Sequence, residues 1–388
     1  MDTVLMNNGN LEIELLGESI ISENAWYVDN LLQFDDGLLL TGAQTWKKCS
    51  PEDPDTCYQI SQDNGKTWQS YLADDIKDYT KAAVQFMGQR SDGSIIGWTG
   101  VWPEKPVYQG RPGQPITQSI VKSSSLEALS QGQSDHSKAA VYVPYLVPGT
   151  GDDLNEPPAY FIGNWGKMVE AEHGCLLQAA YSFFSYDHSP RLWTGQAAQA
   201  FQYRTYMLYS QDDAATWHYL STIASSGQYP LPAQSEGFCE PDLLYFNDGH
   251  LLCVMRSGGN PVGTHMERYT PLAASHSTDG GLTWTPPAYI APYGVNPILL
   301  QMSNGLTVCL SGRPGFFLIF SSDQGQTWSP PHWLTQSHGE WAKCSSGYGR
   351  LIELEPGVLG IAYDEYIGSG EDAKLTTKFR TCKLNSMH

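Results

Sequence analysis

SSDQGQTW, residues 321–328, returns three more times in this chain, as SQDNGKTW (61–68), SQDDAATW (210–217) and STDGGLTW (277–284). The shared pattern is Ser-x-Asp-x-Gly-x-Thr-Trp. It reads as a tight turn between two strands. The Asp carboxylate accepts from backbone N–H groups inside the turn, and Gly permits a positive φ. Thr suits the returning strand, and Trp buries a large area between layers. The second copy departs, with Ala214 where the others carry Gly.

A second repeat surrounds the first. An apolar strand, a turn ending in Gly and another apolar strand recur six times, with turn glycines Gly37, Gly93, Gly174, Gly249, Gly305 and Gly357. Each unit reads as the hairpin of the first two strands of a four-stranded antiparallel blade. Six hairpins over 388 residues leave roughly 65 residues per unit, which suits a β-propeller blade with long loops. The expectation is an all-β, six-bladed β-propeller forming a single domain over residues 1–388. The second and sixth units lack the eight-residue turn. LEIELLG (11–17) is expected to join TTKFRTCKL (376–384) in the last blade, which would close its exposed edge.

Aligning the hairpins on their glycines sorts the polar residues. Nine residues before each Gly stand Val28, Val84, Trp165, Glu240, Asn296 and Tyr348. Alternation along a strand adds Asn30, Asp242 and Arg350 one layer deeper. The returning strands bring Gln44, Tyr181, Arg256, Arg313 and Asp364 to the same end. The loop KKCSPEDPDTC (47–57) opens there too, with Asp53 and Asp55. A packing core has no need of Glu240, Tyr348, Arg256 and Arg313 together, because buried charges are costly unless paired. The competing reading is that Glu240 and the two arginines merely neutralise one another. Gln33, Gln89, Glu170, Tyr245, Gln301 and Glu353 fall in a different register, at the hairpin end, and read as structural.

At this point the chain resembles the sialidase (neuraminidase) superfamily. The four Ser-x-Asp-x-Gly-x-Thr-Trp turns are similar to its Asp boxes, which are structural there. Asp63, Asp212, Asp279 and Asp323 therefore receive no catalytic role. EPDLLYFNDGHLLCVMR resembles the family's fourth-blade segment and assigns Glu240 and Arg256. GRPGFFLIFSSDQGQTW assigns Arg313, and YGRLIELEPGVLGIAY assigns Tyr348. The resemblance implies a retaining exo-glycosidase in which Tyr348 attacks the anomeric carbon and Glu240 is its base. Asp53, with Asp55 as the alternative, is the implied general acid and base. Arg256 and Arg313 would bind a carboxylate of a terminal, sialic-acid-like sugar. Trp165, Asn296 and Gln44 complete the candidate substrate contacts.

One departure bears on the substrate. The family's first arginine sits in an aromatic-Arg-Ile-Pro motif, and here that place reads Trp26-Tyr27-Val28-Asp29. Arg350 is a candidate replacement, or else a buried partner of Asp242. Trp26 and Tyr27 are candidates to stack on a sugar face, or to pack the first blade. Two alternatives stay open. One is a propeller exo-glycosidase for a neutral sugar, such as an exo-α-L-arabinanase with Glu240 as nucleophile. The other is a carbohydrate-binding propeller without catalysis.

Bulk properties limit the partners. With 22 Lys and Arg against 41 Asp and Glu, the net charge is −19, which repels nucleic acid and anionic membrane surfaces. The expected partner is a glycan or glycoconjugate, with no nucleic acid and no membrane insertion. MDTVLMNNGN (1–10) lacks a basic region followed by an apolar run, so no signal peptide is read and the compartment stays open. No CxxC or HExxH pattern points to a metal, and no cofactor is expected. Cys175, Cys253 and Cys309 read as reduced core residues, whereas Cys49 and Cys57 flank a polar loop and are a candidate pair.

Overall fold

The computed structural model describes residues 2–6, 9–23, 25–45, 56–71, 87–98, 115–147, 162–164, 166–188, 201–229, 231, 235–258, 271–313, 315–335, 345–367 and 374–386. These are nearly all β: strands, one short α-helix (Leu126–Ser130) and one 3₁₀ turn (Glu172–Gly174). All six hairpin glycines adopt positive φ, between 72° and 86°. In four hairpins the residue before the glycine caps the turn: Asp36, Asp92, Asp248 and Asn304 each accept a backbone N–H two residues on. That is the Asx geometry these side chains favour.

The chain divides into two compact units. The first comprises residues 1–83, 126–133 and 293–388. It holds three sheets. One is Ala25–Gln33, Leu39–Thr45, Thr56–Ser61 and Gln69–Ser70; another is Val295–Gln301, Thr307–Gly312, Phe317–Ser321 and His332–Trp333. In the third, Arg350–Glu355, Val358–Ile367 and Lys374–Ser386 are joined by Gly9–Glu23 and then Asp2–Met6. Leu11 pairs with Ser386 and Ile13 with Leu384, so the first residues complete the last sheet as the sequence suggests. Leu310, Phe316, Phe320, Leu359, Ile361 and Tyr363 fill one core cluster. Val28, Leu39, Ala362 and Phe379 form another, against which Trp68 packs. Each fully buried Phe or Leu here contributes about 1.5–3 kcal/mol.

The second unit comprises residues 84–125 and 134–292. Cys239–Tyr245, Leu251–Arg256, Leu272–Ser277 and Ala288–Ala291 form a four-stranded sheet. Eight further strands form one sheet where two separate blades are expected. Val169–Glu170, Leu176–His188, Phe201–Ser210 and Thr216–Ala224 run antiparallel, as do Gly88–Gln89, Ile95–Trp98, Ile116–Ser123 and Asp135–Tyr142. A parallel pairing of Ala140–Tyr142 with Thr216–His218 fuses the two runs. This is also where the departing eight-residue turn lies. Ala214 takes φ +62° and is buried. Trp217 is fully buried beside Trp98, whereas Trp68, Trp284 and Trp328 remain half-buried.

The eight-residue turns lie between the third and fourth strands of their runs. Asp63 accepts from the N–H and hydroxyl of Thr67 and from the Ser61 hydroxyl. Those bonds hold its carboxyl down at about 2. Asp212, Asp279 and Asp323 repeat the arrangement. The two runs without the turn now have a reason. In one, the chain passes through the helix Leu126–Ser130 between Ile116–Ser123 and Asp135–Tyr142. In the other, the third strand is Lys374–Ser386 and the fourth is Gly9–Glu23, so no turn joins them.

Candidate functional site

Backbone strain marks two of the residues that alignment on the glycines selects, Glu240 and Asn296, and Tyr27, the neighbour of a third. Tyr27, Glu240 and Asn296 have φ of +61°, +48° and +43°. Each stands at the start of a first strand, at a slip in pairing register: Trp26/Val28, Cys239/Asp242 and Val295/Ile298. Such bulges re-aim a side chain away from the strand's alternation. A non-glycine residue in this region costs about 1–2 kcal/mol and persists only where its surroundings hold it. The strain at Tyr27 and Glu240 carries no signal in the sequence, since neither is a turn residue.

In the first unit the strain gathers around Tyr348, which is buried. The ring of Tyr27 stacks on it at 4.1 Å between centroids. The Arg313 guanidinium lies over the ring, 5.4 Å from its centroid, and Arg313 itself has φ +58°. Arg313 Nε donates to the Ser346 carbonyl at 2.8 Å. Two glycines allow this approach. A Cβ on Gly312 would meet Gly347 Cα at 2.4 Å, and one on Gly347 would meet Arg313 Cγ at 2.9 Å. Only bare backbone lets residues 313 and 348 come together here.

Asp364 braces the arrangement from below. Its carboxylate accepts from Tyr27 N–H (2.8 Å), from Ser346 N–H (2.7 Å) and from the Ser346 hydroxyl. The Ser346 hydroxyl in turn accepts from Tyr348 N–H at 3.1 Å. Burial raises the Asp364 carboxyl from 3.8 to about 6, against the pull of Ser346, Tyr27 and Arg313. A raised folded-state value stabilises the fold fully below pH 3.8, and that contribution is lost as pH rises through about 6. The span corresponds to about 3 kcal/mol. Asp364→Asn removes the titration. Between pH 4 and pH 7 the unfolding free energy of the variant should therefore gain about 2 kcal/mol relative to wild type, whatever the constant offset. Urea unfolding across that range measures it. A gap that does not move with pH would contradict the assignment.

In the second unit, Glu240 and Arg256 form the other cluster. Cys239 pairs with Arg256 across the first two strands, which sets their side chains together. Arg256 Nη1 donates to Glu240 Oε1 at 3.0 Å, and Arg256 Nη2 lies 3.1 Å from Glu236 Oε2. One guanidinium thus serves two carboxylates. Asp242, one layer deeper, is held by Lys167 Nζ at 2.8 Å and by Lys167 N–H at 3.1 Å.

The remaining candidates fall as follows. Arg350 Nη1 donates to the Gly349 carbonyl at 2.8 Å, in the first unit. Asn296 is buried at its bulge. Trp26 and Gln44 pair across their strands, but their side chains lie outside the described residues, as do Asp53, Asp55 and Trp165. Cys253 and Cys309 are buried free thiols, whereas Cys175 is only half-buried. Cys49 and the Cys57 side chain lie outside the described residues. Glu170 and Glu353 do structural work, accepting from backbone N–H groups of the turns at Ser91 and at Ser303 and Gly357. Sequence reasoning missed Glu236, Lys167 and Ser346. Glu236 stands four residues before Glu240, a spacing that no strand alternation connects once the chain bulges. Among the described residues no helix is long and apolar enough to cross a membrane.

Comparison with known proteins places this architecture. The model of the BNR repeat-like domain matches residues 153–370. No curated protein matches the chain. Among solved structures, a protein of unknown function from Dyadobacter fermentans is similar over 96% of this chain and 99% of its own, at 15% identity and TM-score 0.61. The Penicillium chrysogenum α-L-arabinanase complexed with arabinobiose is similar over 94% and 98%, at 13% identity and TM-score 0.55. A Hadza microbial sialidase is similar over 92% of this chain and 66% of its own, at 16% identity and TM-score 0.51. At these identities the likeness establishes the all-β propeller fold.

Proposed function

We propose a glycosidase function for this chain, which belongs to the BNR repeat-like domain family. The reading is a retaining exo-glycosidase that removes a terminal, acidic sugar from a glycan. Tyr348 is the nucleophile, Glu240 the base that takes its proton, and Asp53 the acid that protonates the leaving oxygen. Water then cleaves the tyrosyl–sugar bond, and Asp53 takes the proton of that water. The observation that carries the reading is the holding of Tyr348. An aromatic ring and a guanidinium meet the Tyr348 ring, and a buried carboxylate fixes the backbone of Tyr27 and Ser346 beside it, at the expense of strained backbone at Tyr27 and Arg313. Packing alone does not ask for that.

A second reading has its own observations. The place of the family's first arginine is taken by Tyr27, whose ring faces Tyr348. Arg256 already serves Glu236 and Glu240. Both features suit a neutral sugar, with Glu240 as nucleophile. A panel of aryl glycosides separates the cases: an aryl sialoside, an aryl α-L-arabinofuranoside and neutral aryl pyranosides. Release from the sialoside supports the first reading, and release from a neutral glycoside the second. Glycan binding without release from any of them would leave a carbohydrate-binding propeller.

A further inference from the structure

We infer that Tyr145 and Tyr186 form a second carbohydrate-binding platform, in the second unit, that grips a glycan beyond the sugar at the reacting end. The inference rests on the glycosidase reading for its direction, while its test does not need turnover.

The two rings lie 5.0 Å apart between centroids, tilted 56° to one another. They are 60% and 58% exposed, among the most exposed large apolar side chains of the unit. What sets them apart from equally exposed side chains such as Leu282 and Tyr289 is that the two rings lie together as one patch, and contiguous rather than scattered apolar surface is what marks a binding site. They are also held firmly, which a surface packing accident would not require. Tyr145 sits at φ +63°. Its segment is tied to the strand Leu176–His188 by Ser185 N–H donating to the Tyr145 carbonyl (3.0 Å) and Val147 N–H donating to the Phe183 carbonyl (3.1 Å). Leu146 and Phe184 bridge between those bonds. The residue after Tyr186 is Asp187, fully buried at its side chain and gripped by Arg204 through two bonds, at 2.6 and 2.8 Å. Arg204 lies in turn over the Phe184 ring.

The chemistry of the surface selects the occupant. A pair of phenol rings offers flat apolar faces with hydroxyl groups at their rims. A sugar ring has the matching character, with a C–H face and hydroxyls at its edge. An angle of 56° lets one ring stack on that face while the other's hydroxyl reaches the rim. Position argues for the same occupant. Phe183 pairs with Tyr203. Tyr203 N–H donates to the Glu236 carbonyl at 2.7 Å, and Phe238 N–H donates to the Tyr203 carbonyl at 3.0 Å. The segment leading into Glu240 is thus fastened at the level of Phe183. Tyr186 lies three residues further along the same strand, in the stretch where its pairing slips register between Phe183 and His188 and a side chain can be re-aimed. A glycan whose terminal sugar reaches the Glu240 end would run on toward the platform.

The test compares wild type, Tyr186→Ala and Tyr145→Ala/Tyr186→Ala by saturation-transfer NMR and titration calorimetry. The probes are a sialylated trisaccharide, a linear arabinan tetrasaccharide and the corresponding free monosaccharides. Both side chains are exposed, so the variants should keep wild-type circular dichroism and melting. If the double variant does not, Tyr186→Ala and Tyr186→Phe carry the comparison. The expected result is tenfold or greater loss of affinity for whichever oligosaccharide binds wild type, with monosaccharide affinity unchanged. Saturation transfer should reach a sugar other than the terminal one and vanish in the variants. Equal oligosaccharide affinity in all variants, or no oligosaccharide binding by wild type, would overturn the platform. Aryl glycoside turnover, measured separately, tells failure of the glycosidase reading apart from failure of this one.

Discussion

Tyr348→Phe is expected to lower kcat by about 10³-fold or more on the substrate that wild type cleaves, with melting temperature little changed. The substitution removes the oxygen that would bond the anomeric carbon and leaves the ring. The stack on Tyr27 and the Arg313 contact are contacts of that ring, so the fold keeps them. Loss of a nucleophile removes the covalent route, and only the slower background from binding and charge stabilisation remains. Glu240→Gln is the informative companion. As a base, Glu240 contributes typically 10²–10⁴-fold, so its loss should cost no more than the loss of Tyr348. As a nucleophile, its loss should cost more, and Tyr348→Phe should leave most of the turnover. The order of the two variants therefore decides between the two glycosidase readings. Circular dichroism must accompany Glu240→Gln, because Arg256 would then face Glu236 and a neutral amide.

The fold was legible because its signals are local. Six turn glycines and four Asp-containing turns report backbone geometry within a few residues, and the strands follow. The placement of Glu240 and Arg256 at the same end of one hairpin was legible for a related reason, since the turn sets its register. Where the sequence fell silent, the cause lies in tertiary contacts. Tyr27 takes a left-handed backbone because Asp364, far along the chain, accepts its N–H. No propensity of tyrosine announces that. The parallel fusion of two strand runs depends on how Ala140–Tyr142 meets Thr216–His218, which neither segment encodes alone. Asp242 reads from the sequence as a partner of Arg350, and the Lys167 that the structure sets against it lies far from it in the chain, with no local pattern to announce it.

Gly312→Ala should destabilise the protein by about 3 kcal/mol and lower turnover by about 100-fold, although residue 312 carries no chemistry. Its Cβ would stand 2.4 Å from Gly347 Cα and 3.0 Å from the Gly347 carbonyl group. Those atoms are backbone, so no side chain can swing away. Restoring ordinary contact at about 3.5 Å requires the two segments to part by about 1 Å. The residues that follow each glycine are Arg313 and Tyr348, so the parting falls on the candidate site itself. The bond from Arg313 Nε to the Ser346 carbonyl, 2.8 Å in the native protein, would be stretched past useful length. Overpacking typically costs 1–3 kcal/mol, and a charged hydrogen bond adds about 1.5–3 kcal/mol. A displacement of about 1 Å at a reacting group is enough for a loss of about 10²-fold. Gly17→Ala is the control. A Cβ there meets nothing within 4 Å, so stability should stay within about 0.5 kcal/mol. Urea unfolding of both variants, with kcat on the active substrate, makes the comparison. A Gly312→Ala protein as stable and as active as Gly17→Ala would show that the close approach of the two glycines is not what sets Arg313 against Tyr348.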